Sequence, residues 1–567
     1  MPMVPASQSA TELALQISTF LTEHPDAKVE QEGVELFNLQ QDRYSISTEH
    51  NRCLLHLWSD QQNLVRTVVR LQVRAQSLQV ETKRLGQSVP QRLTLKVGKA
   101  SAEPSARNEV RREYLKRLMR QLSQQFEGRL DAFSTSLDME QSFGPAYTRG
   151  LLLNGNTAWG IVGVNEQEDA TTIANAVTIA ILWLHACRER LGQRRIVEGV
   201  RLVLPRGRAQ IARERLGWLN QDLAKWELYE WDESDASLTP LPIVVEPTPS
   251  AVLRPAVSLA AAEKRLQASL ALVNELLPKA MLKEMESRAE SSTAIELRRN
   301  GLGFAWIEQR ATVNGIGIEE HIGFGRGRIE TELPPATAVE SETGLDREIA
   351  ESELRNLAQR LLWIRQAEGN SRDPLYRLQL EKWLAAQLRR NLSAIDPRLK
   401  RNFVYEQLRA LALAESGSME HTIAVTQKGR LAILALCAEE NPHWPLAALD
   451  CWMRARALQQ SGEWQRQGYF EDMELAADNP LLYLVSPVLR LHSSYPTVLR
   501  YFSPKIDWQI AGLDERWRKE FSVILRRRQD SSAPMARRGP HSDLPEQTQP
   551  LRRSNAAQRS ARRPLKF

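Results

Sequence analysis

Residues 418–462 read SMEHTIAVTQKGRLAILALCAEENPHWPLAALDCWMRARALQQSG, and the order of the elements in this stretch decides the fold. Two short segments, 418–425 and 430–438, flank Thr426-Gln427-Lys428-Gly429, whose closing glycine suits a tight turn, so a β-hairpin is predicted. The apolar segment after Pro445 is too long for a strand and carries its proline where a first helical turn tolerates one, which predicts a long helix. Upstream, YRLQLEKWLAAQLRRNLSAIDP (376–397) predicts a helix with Glu381 on its buried side. Downstream, PLLYLVSP (480–487) and IDWQIAGLDERW (506–517) predict strands separated by another helix. Helix, hairpin, helix, strand, helix, strand over 375–528 is an α/β layer pattern.

This segment resembles the PD-(D/E)XK superfamily, the fold of restriction endonucleases, RecB-like exonucleases and tRNA-splicing endonucleases, over about a quarter of the chain. The family's chemistry needs an Asp on the first hairpin strand and a Glu-x-Lys on the second, because two carboxylates share a divalent metal beside a lysine and activate a water for attack on phosphorus. The resemblance aligns His421 with the metal-binding Asp, Ala435 with the Glu and Cys437 with the Lys. Ala447 and Cys451 stand where the RecB-like helix carries Gln and Tyr. Arg430-Leu431-Ala432 and Leu449-Asp450-x-Trp452 anchor the alignment on both sides. One carboxylate, Glu381, remains where the family places an acid on its N-terminal helix. The resemblance therefore implies a mixed sheet flanked by helices, with its catalytic residues replaced. Glu439 and Glu440 follow the second strand and, with His421 and Glu381, are the residual candidates for a relocated metal site; the plainer expectation is that they are solvent-facing acids before a helix. No cofactor is expected, with Mg or Mn needed only if residual nuclease activity exists, and no metal site is assigned.

A similar alternation occurs earlier. TAWGIVGV (157–164), a helix over 170–192, GVRLVLP (199–205), a helix over 208–219 and KWELYEWD (225–232) repeat the order seen after Ala432. Residues 101–242 are therefore expected to be an α/β domain and a second degenerate nuclease-like copy, with Trp159, Gly160 and Ile161 where a Glu-x-Lys would stand. Residues 1–100 read as a small β-rich domain opened by a short amphipathic helix over 11–24. IVVEPTPSAVLRP, 243–255, has three prolines and reads as a linker. Residues 256–374 read as a helical and β-hairpin middle region: a long helix or helical pair over 256–292, a hairpin and a helix over 346–368. Gly323, Gly325 and Gly327 belong to that hairpin rather than to a phosphate loop, since no GK[ST] follows. The whole is multi-domain, α+β overall, as 567 residues exceed what one core serves.

The net charge is +6, with 75 Lys and Arg against 69 Asp and Glu, yet residues 526–567 hold eleven Lys and Arg and three acids. The rest of the chain is near neutral. Residues 529–567 are poor in aromatics and rich in Ser, Pro, Gln and Arg, and are expected to be a disordered basic tail. Candidate phosphate contacts are Arg201, Arg206, Arg208, Arg213 and Arg215, the densest basic group of the body, and Arg552, Arg553, Arg562 and Arg563 of the tail. Asp138 and Glu140, two apart, are expected on opposite sides of a helix start. Trp383, Trp452 and Trp508 sit in apolar contexts and read as core. Cys53, Cys187, Cys437 and Cys451 lie far apart with no CxxC pair, so neither disulfides nor structural zinc are implied. No apolar run is long enough to span a bilayer and no secretory signal opens the chain, so a bacterial-type cytoplasm is the expected compartment. Three functions follow: a non-catalytic protein that binds DNA or RNA, a protein-interaction scaffold with a protein partner, or a metal-dependent nuclease with relocated ligands. No oligomeric state is implied.

Overall fold

In the computed structural model the described residues are 9–529 apart from 25–26, 32–33, 40–41, 50–51, 59–62, 75–76, 84–90, 97–103, 137–142, 193, 235–236, 313–316, 326–330, 334–342, 412 and 414–418. Helix α1 (Ala10–Glu23), capped by Ser9 accepting from the Glu12 amide, lies on an antiparallel sheet of β1 (Lys28–Gln31), β2 (Val34–Asn38), β3 (Arg43–Glu49), β4 (Arg52–Trp58), β5 (Asn63–Arg74), β6 (Ser77–Lys83) and β7 (Gln91–Lys96), in the order β2-β1-β7-β6-β5-β4-β3. Strict alternation along β4 and β6 sends every second residue, Cys53, Leu55, Leu57, Leu78 and Val80, into the core beneath Leu13, Ile17 and Leu21. The small β-rich N-terminal domain is thus present.

After α2 (Pro104–Gln125) comes a six-stranded mixed sheet in sequential order: β8 (Arg129–Ser134), β9 (Tyr147–Asn154), β10 (Thr157–Val164), β11 (Ile196–Pro205), β12 (Lys225–Trp231) and β13 (Thr239–Leu241). Helices α3 (Ala170–Ala174) and α4 (Ala176–Leu191) connect β10 to β11, and α5 (Gln210–Gly217) connects β11 to β12. Strands β10, β11 and β12 are parallel and the other neighbours antiparallel. Tyr114, Leu118 and Leu122 of α2 cover one face, meeting Trp159, Ile161, Val203 and Tyr229, while α4 covers the other. Asp138 and Glu140 lie outside the described residues. Residues 243–255 form no helix or strand but are seated on α5: Trp218 Nε1 donates to the Pro247 carbonyl, and Leu253 is buried.

The middle region departs from expectation in one respect. Instead of one or two long helices to 292, it has α6 (Leu259–Arg265), α7 (Gln267–Leu276) and α8 (Lys279–Glu284), and Met285 already opens a strand. Pro278, which lacks an amide proton, ends the helical run, and the chain restarts as α8. Strands β14 (Met285–Ser291), β15 (Ala294–Arg299), β16 (Leu302–Ala311), β17 (Ile318–Phe324) and β18 (Thr331–Leu333) form an antiparallel meander against α9 (Thr343–Ile364). Gly323 lies inside β17, paired with Trp306 and Glu332, rather than at a turn; Gly327 is outside the described residues.

The last region runs α10 (Pro374–Arg377), α11 (Leu380–Arg390), α12 (Leu392–Ile395), β19 (Tyr405–Glu406), β20 (Glu420–Val425), β21 (Leu431–Leu436), α13 (Trp444–Gln460), α14 (Glu463–Arg466), β22 (Leu481–Pro487), α15 (Tyr495–Arg500), β23 (Asp507–Leu513) and β24 (Val523–Arg528). Its sheet is again sequential, β19 to β24, with β21, β22 and β23 parallel and the other neighbours antiparallel. The two six-stranded sheets therefore have the same order and the same strand senses. Helix α13 is apolar on nearly every side and buried from Trp444 to Met453, as a helix inserted between layers must be. It covers one face of the sheet, and α11, through Trp383, Leu384 and Leu388, covers the other. Among the described residues no helix is long and apolar enough to cross a membrane.

Candidate functional site

The β20–β21 hairpin sets the positions of interest. Its turn needs Gly429: φ is +80°, and a Cβ there would lie 2.3 Å from the Glu474 carbonyl oxygen. The register places His421 directly opposite Ala435, so the sequence-aligned positions do converge on one face of the sheet. That face is not open. His421 is 1% exposed, Ala435 0%, Cys437 6%, Ala447 7% and Cys451 2%, and Ala435, Cys437 and Cys451 belong to the core that α13 closes.

The chemistry of these side chains follows from their burial. Loss of water disfavours the imidazolium, and His421 falls to about 4 despite the Met419 and Leu408 carbonyls. It is therefore neutral near pH 7, with Nδ1 3.3 Å from the Met419 carbonyl oxygen and 3.9 Å from the Cys451 thiol. Burial also raises Cys437 to about 12, and its thiol donates to the Glu439 carbonyl at 2.8 Å. A protonated thiol buried in this way is neither a nucleophile nor a metal ligand.

Of the residual acids, Glu381 and Glu439 lie near enough to Cys437 for their charges to add to the rise that burial imposes on its thiol. Glu381 is half-buried on α11, with Oε1 accepting from the Ala438 amide at 3.2 Å. Glu439 and Glu440 are exposed, and Glu440 lies 3.9 Å from His492. Among the described residues no group of three or more His, Cys, Asp and Glu is arranged to hold a metal ion.

Backbone pairing corrects the alignment made for the first sheet. Gly199 and Leu481 each open a seven-residue parallel ladder, paired with Lys225 and Asp507, that ends at Pro205 and Pro487. Gly199 pairs with Trp159 and Leu481 with Ala432, so the counterparts of Ala435 and Cys437 are Val162 and Val164, three residues beyond the Trp159-Gly160-Ile161 expected from the strand's start. Arg149, opposite Val162, is the counterpart of His421. Its guanidinium lies 4.5 Å from the Phe143 ring centroid. Register is fixed by hydrogen bonding between strands, which the run of residues does not display.

The five body arginines do not make one basic surface. Arg215 has no exposed surface; it donates to Asp450 through Nε at 3.1 Å and Nη2 at 2.7 Å, and also to the Ala174 carbonyl. Arg201 lies 4.0 Å from the Phe126 centroid and 4.5 Å from that of Trp159, and pairs with Glu227 at 2.7 Å. The expectation of phosphate contact is corrected for these two, because both guanidiniums are spent inside the fold. Arg208 bonds the Glu166 and Glu168 carbonyls and Arg213 the Pro242 carbonyl, whereas the Arg206 side chain is 70% exposed and lies 3.7 Å from Asp232. Arg552, Arg553, Arg562 and Arg563 lie outside the described residues. Trp383 and Trp452 are fully buried and Trp508 half-buried.

Sequence reasoning missed a polar layer on the opposite face of the same hairpin. Glu420, raised to about 7 by burial, accepts from Gln407 at 2.7 Å, while Gln407 accepts from Arg288 and Arg298 of the middle sheet. Lys382 of α11 is lowered by burial and lies close enough to Glu420 for mutual electrostatic influence. The available signal was a glutamate at the start of the strand Glu420–Val425, which ends in Ile423-Ala424-Val425.

No protein-family model and no curated protein matches the chain. A solved structure of EndoMS in apo form aligns with 40% of this chain and 97% of its own length at 14% identity, with a TM-score of 0.14.

Proposed function

We propose that this protein is a catalytically silent PD-(D/E)XK-like protein that binds nucleic acid, mainly through its basic C-terminal segment. The observation that carries the reading is the burial of the five positions where nuclease chemistry would stand: a neutral imidazole, two protonated thiols and two alanines fill them. A scissile phosphate and a hydrated metal need an open, carboxylate-lined edge. The surplus of eight positive charges in 526–567, beside a nearly neutral remainder, supports tail-directed binding. A second reading, a protein-interaction scaffold, is favoured by the internal placement of Arg201 and Arg215.

Two measurements test this. Purified protein incubated with single- and double-stranded DNA and RNA plus magnesium or manganese is expected to leave all four intact; cleavage abolished by Glu381→Ala or Glu439→Ala would sink the silent-enzyme reading. Fluorescence anisotropy across a salt series then compares the full chain with a chain ending at Arg528. Binding that disappears with the tail supports tail-directed contact, and binding that survives with a steep salt slope assigns several phosphate contacts to the folded body. No binding by either chain leaves the scaffold.

A further inference from the structure

The two six-stranded units touch each other, and the manner of contact is reciprocal. Helix α4 of the first unit packs against α15 of the second, while α13 of the second, the counterpart of α4, packs against α5, the counterpart of α15. Arg188 of α4 donates to the Tyr501 hydroxyl at 3.0 Å and lies 5.9 Å from the centre of that ring; Arg456 of α13 lies 4.8 Å from the centre of Trp218. Trp218 and Tyr501 are each the residue that caps the short helix of its unit. Each arginine also reaches back to the start of its own unit's first crossover strand: Arg188 to the Val197 carbonyl at 3.3 Å, and Arg456 to the Asn479 side chain at 2.9 Å.

The residues just beyond the aromatics then pair across the boundary. Leu219 and Phe502 form an antiparallel bridge, with the Asn220 amide donating to the Tyr501 carbonyl at 2.7 Å and the Ser503 amide to the Trp218 carbonyl at 2.9 Å. Both units contribute to one continuous apolar core. Two unrelated α/β layers that merely abut have no reason to exchange the same contact twice. Reciprocity, in which position i of one unit meets j of the other and j meets i, is the mark of a two-fold, self-complementary interface.

We infer that residues 129–241 and 405–528 are two copies of one unit held as an intramolecular dimer through the α4–α15 and α13–α5 face. The chain supplies its own partner, so this face is occupied within one molecule, and nucleic acid, protein or another chain must dock elsewhere. The symmetry is broken on the α13–α5 side, where Arg454 also lies 3.6 Å from Glu214. Arg215, three residues before Trp218, pairs with Asp450, six residues before Arg456; the corresponding positions, Val498 and Leu182, are buried and apolar. An ion pair on one side thus answers an apolar pair on the other, which fixes which unit sits on which side. This inference does not depend on the proposed function.

The experiment exchanges the two aromatics in the full chain. Trp218→Ala and Tyr501→Ala are each expected to lower Tm by roughly 5–10 °C, whereas the double exchange Trp218→Tyr with Tyr501→Trp should cost less than half of either. An exchange as damaging as the two truncations together, or a large effect from only one truncation, overturns the inference. Should the truncations fail to fold, Leu219→Cys with Phe502→Cys provides a second readout, because residues opposite one another without mutual hydrogen bonds lie close enough for a disulfide. Peptide mapping after oxidation is expected to recover the 219–502 cross-link; free thiols at both positions would show that the two segments do not pair.

Discussion

The two mixed sheets share strand order and strand senses but differ in what covers them. In the first, α2 presents Tyr114, Leu118 and Leu122, and the outer face is an aromatic and aliphatic core around Trp159 and Trp231. In the last, the corresponding face begins as an apolar core under Trp383 and Leu388 but gives way, towards β19 and the middle sheet, to Glu420, Gln407, Lys382 and Arg298. The inner positions differ too: Arg149 stacked on Phe143 in one, a neutral His421 beside Cys451 in the other. One connectivity accepts either interior. Strand order follows from short crossovers and the alternation of elements, whereas the chemistry of each face depends on which distant segment folds over it.

The harshest way to break this comparison is to place charged residues at the buried positions of the last sheet. Ala435→Glu together with Cys437→Lys introduces a carboxylate and an ammonium where exposure is 0% and 6%. Overpacking and desolvation together are expected to cost several kcal/mol, about 5 or more, and to give insoluble or molten protein by circular dichroism and dye binding. A well-folded variant would mean that the face opens in solution, contrary to the burial described.

Next in size is the ion pair that distinguishes the two sides of the shared core. Arg215→Ala or Asp450→Ala leaves a buried charge without its bidentate partner, and each is expected to lose about 3–5 kcal/mol in denaturant unfolding. The double substitution with Met and Leu should recover much of that loss. Equal costs for single and double replacements would show that packing rather than charge holds the contact.

The polar face can be separated from the histidine face by pH. The Glu420 carboxyl is raised in the folded state, so the stability linked to it is present below its unfolded value near 4.5 and is lost as pH rises to about 7. His421 is lowered, so its contribution is present above 6.5 and is lost as pH falls to about 4. The two slopes oppose each other across one window. Glu420→Gln should therefore make stability rise more steeply between pH 4.5 and 6.5, by an amount on the order of a few kcal/mol, and His421→Asn should shift the slope the other way. Urea midpoints across that range measure both; parallel curves for the variants and the parent would remove the assigned shifts.

The smallest effect sharpens the hairpin itself. Gly429→Ala forces a side chain into a positive φ and towards the Glu474 carbonyl, and should cost about 1–3 kcal/mol. Gly207, also at positive φ but with open space around it, should cost less on the same substitution. Thermal unfolding of the pair isolates the close approach from the backbone preference.

Much of this was legible in the chain. The segment from Pro445 announces a long helix, Thr426 to Gly429 announces the turn, and the order of strands and helices after Trp159 repeats that after Ala432. Local periodicity and turn chemistry report these features because they act over a few residues. The middle helices were read too long because helix-forming residues continue past Pro278 and the strand at Met285 is held by its neighbour, β15, rather than by its own composition.

The sequence by itself determined the α/β alternation and the small β-rich N-terminal domain, and it placed His421, Ala435 and Cys437 at the positions that the resemblance assigns to an Asp, a Glu and a Lys. Only the tertiary structure decided that those positions are sealed under α13, that Arg215 faces Asp450 across 235 residues of chain, that Val162 rather than Trp159 corresponds to Ala435, and that the two sheets share a reciprocal face. The physical reason is common to all four. Burial, ion pairing and strand register are properties of what lies opposite a residue, and the opposite partner is chosen by the packing of whole layers rather than by neighbours along the chain.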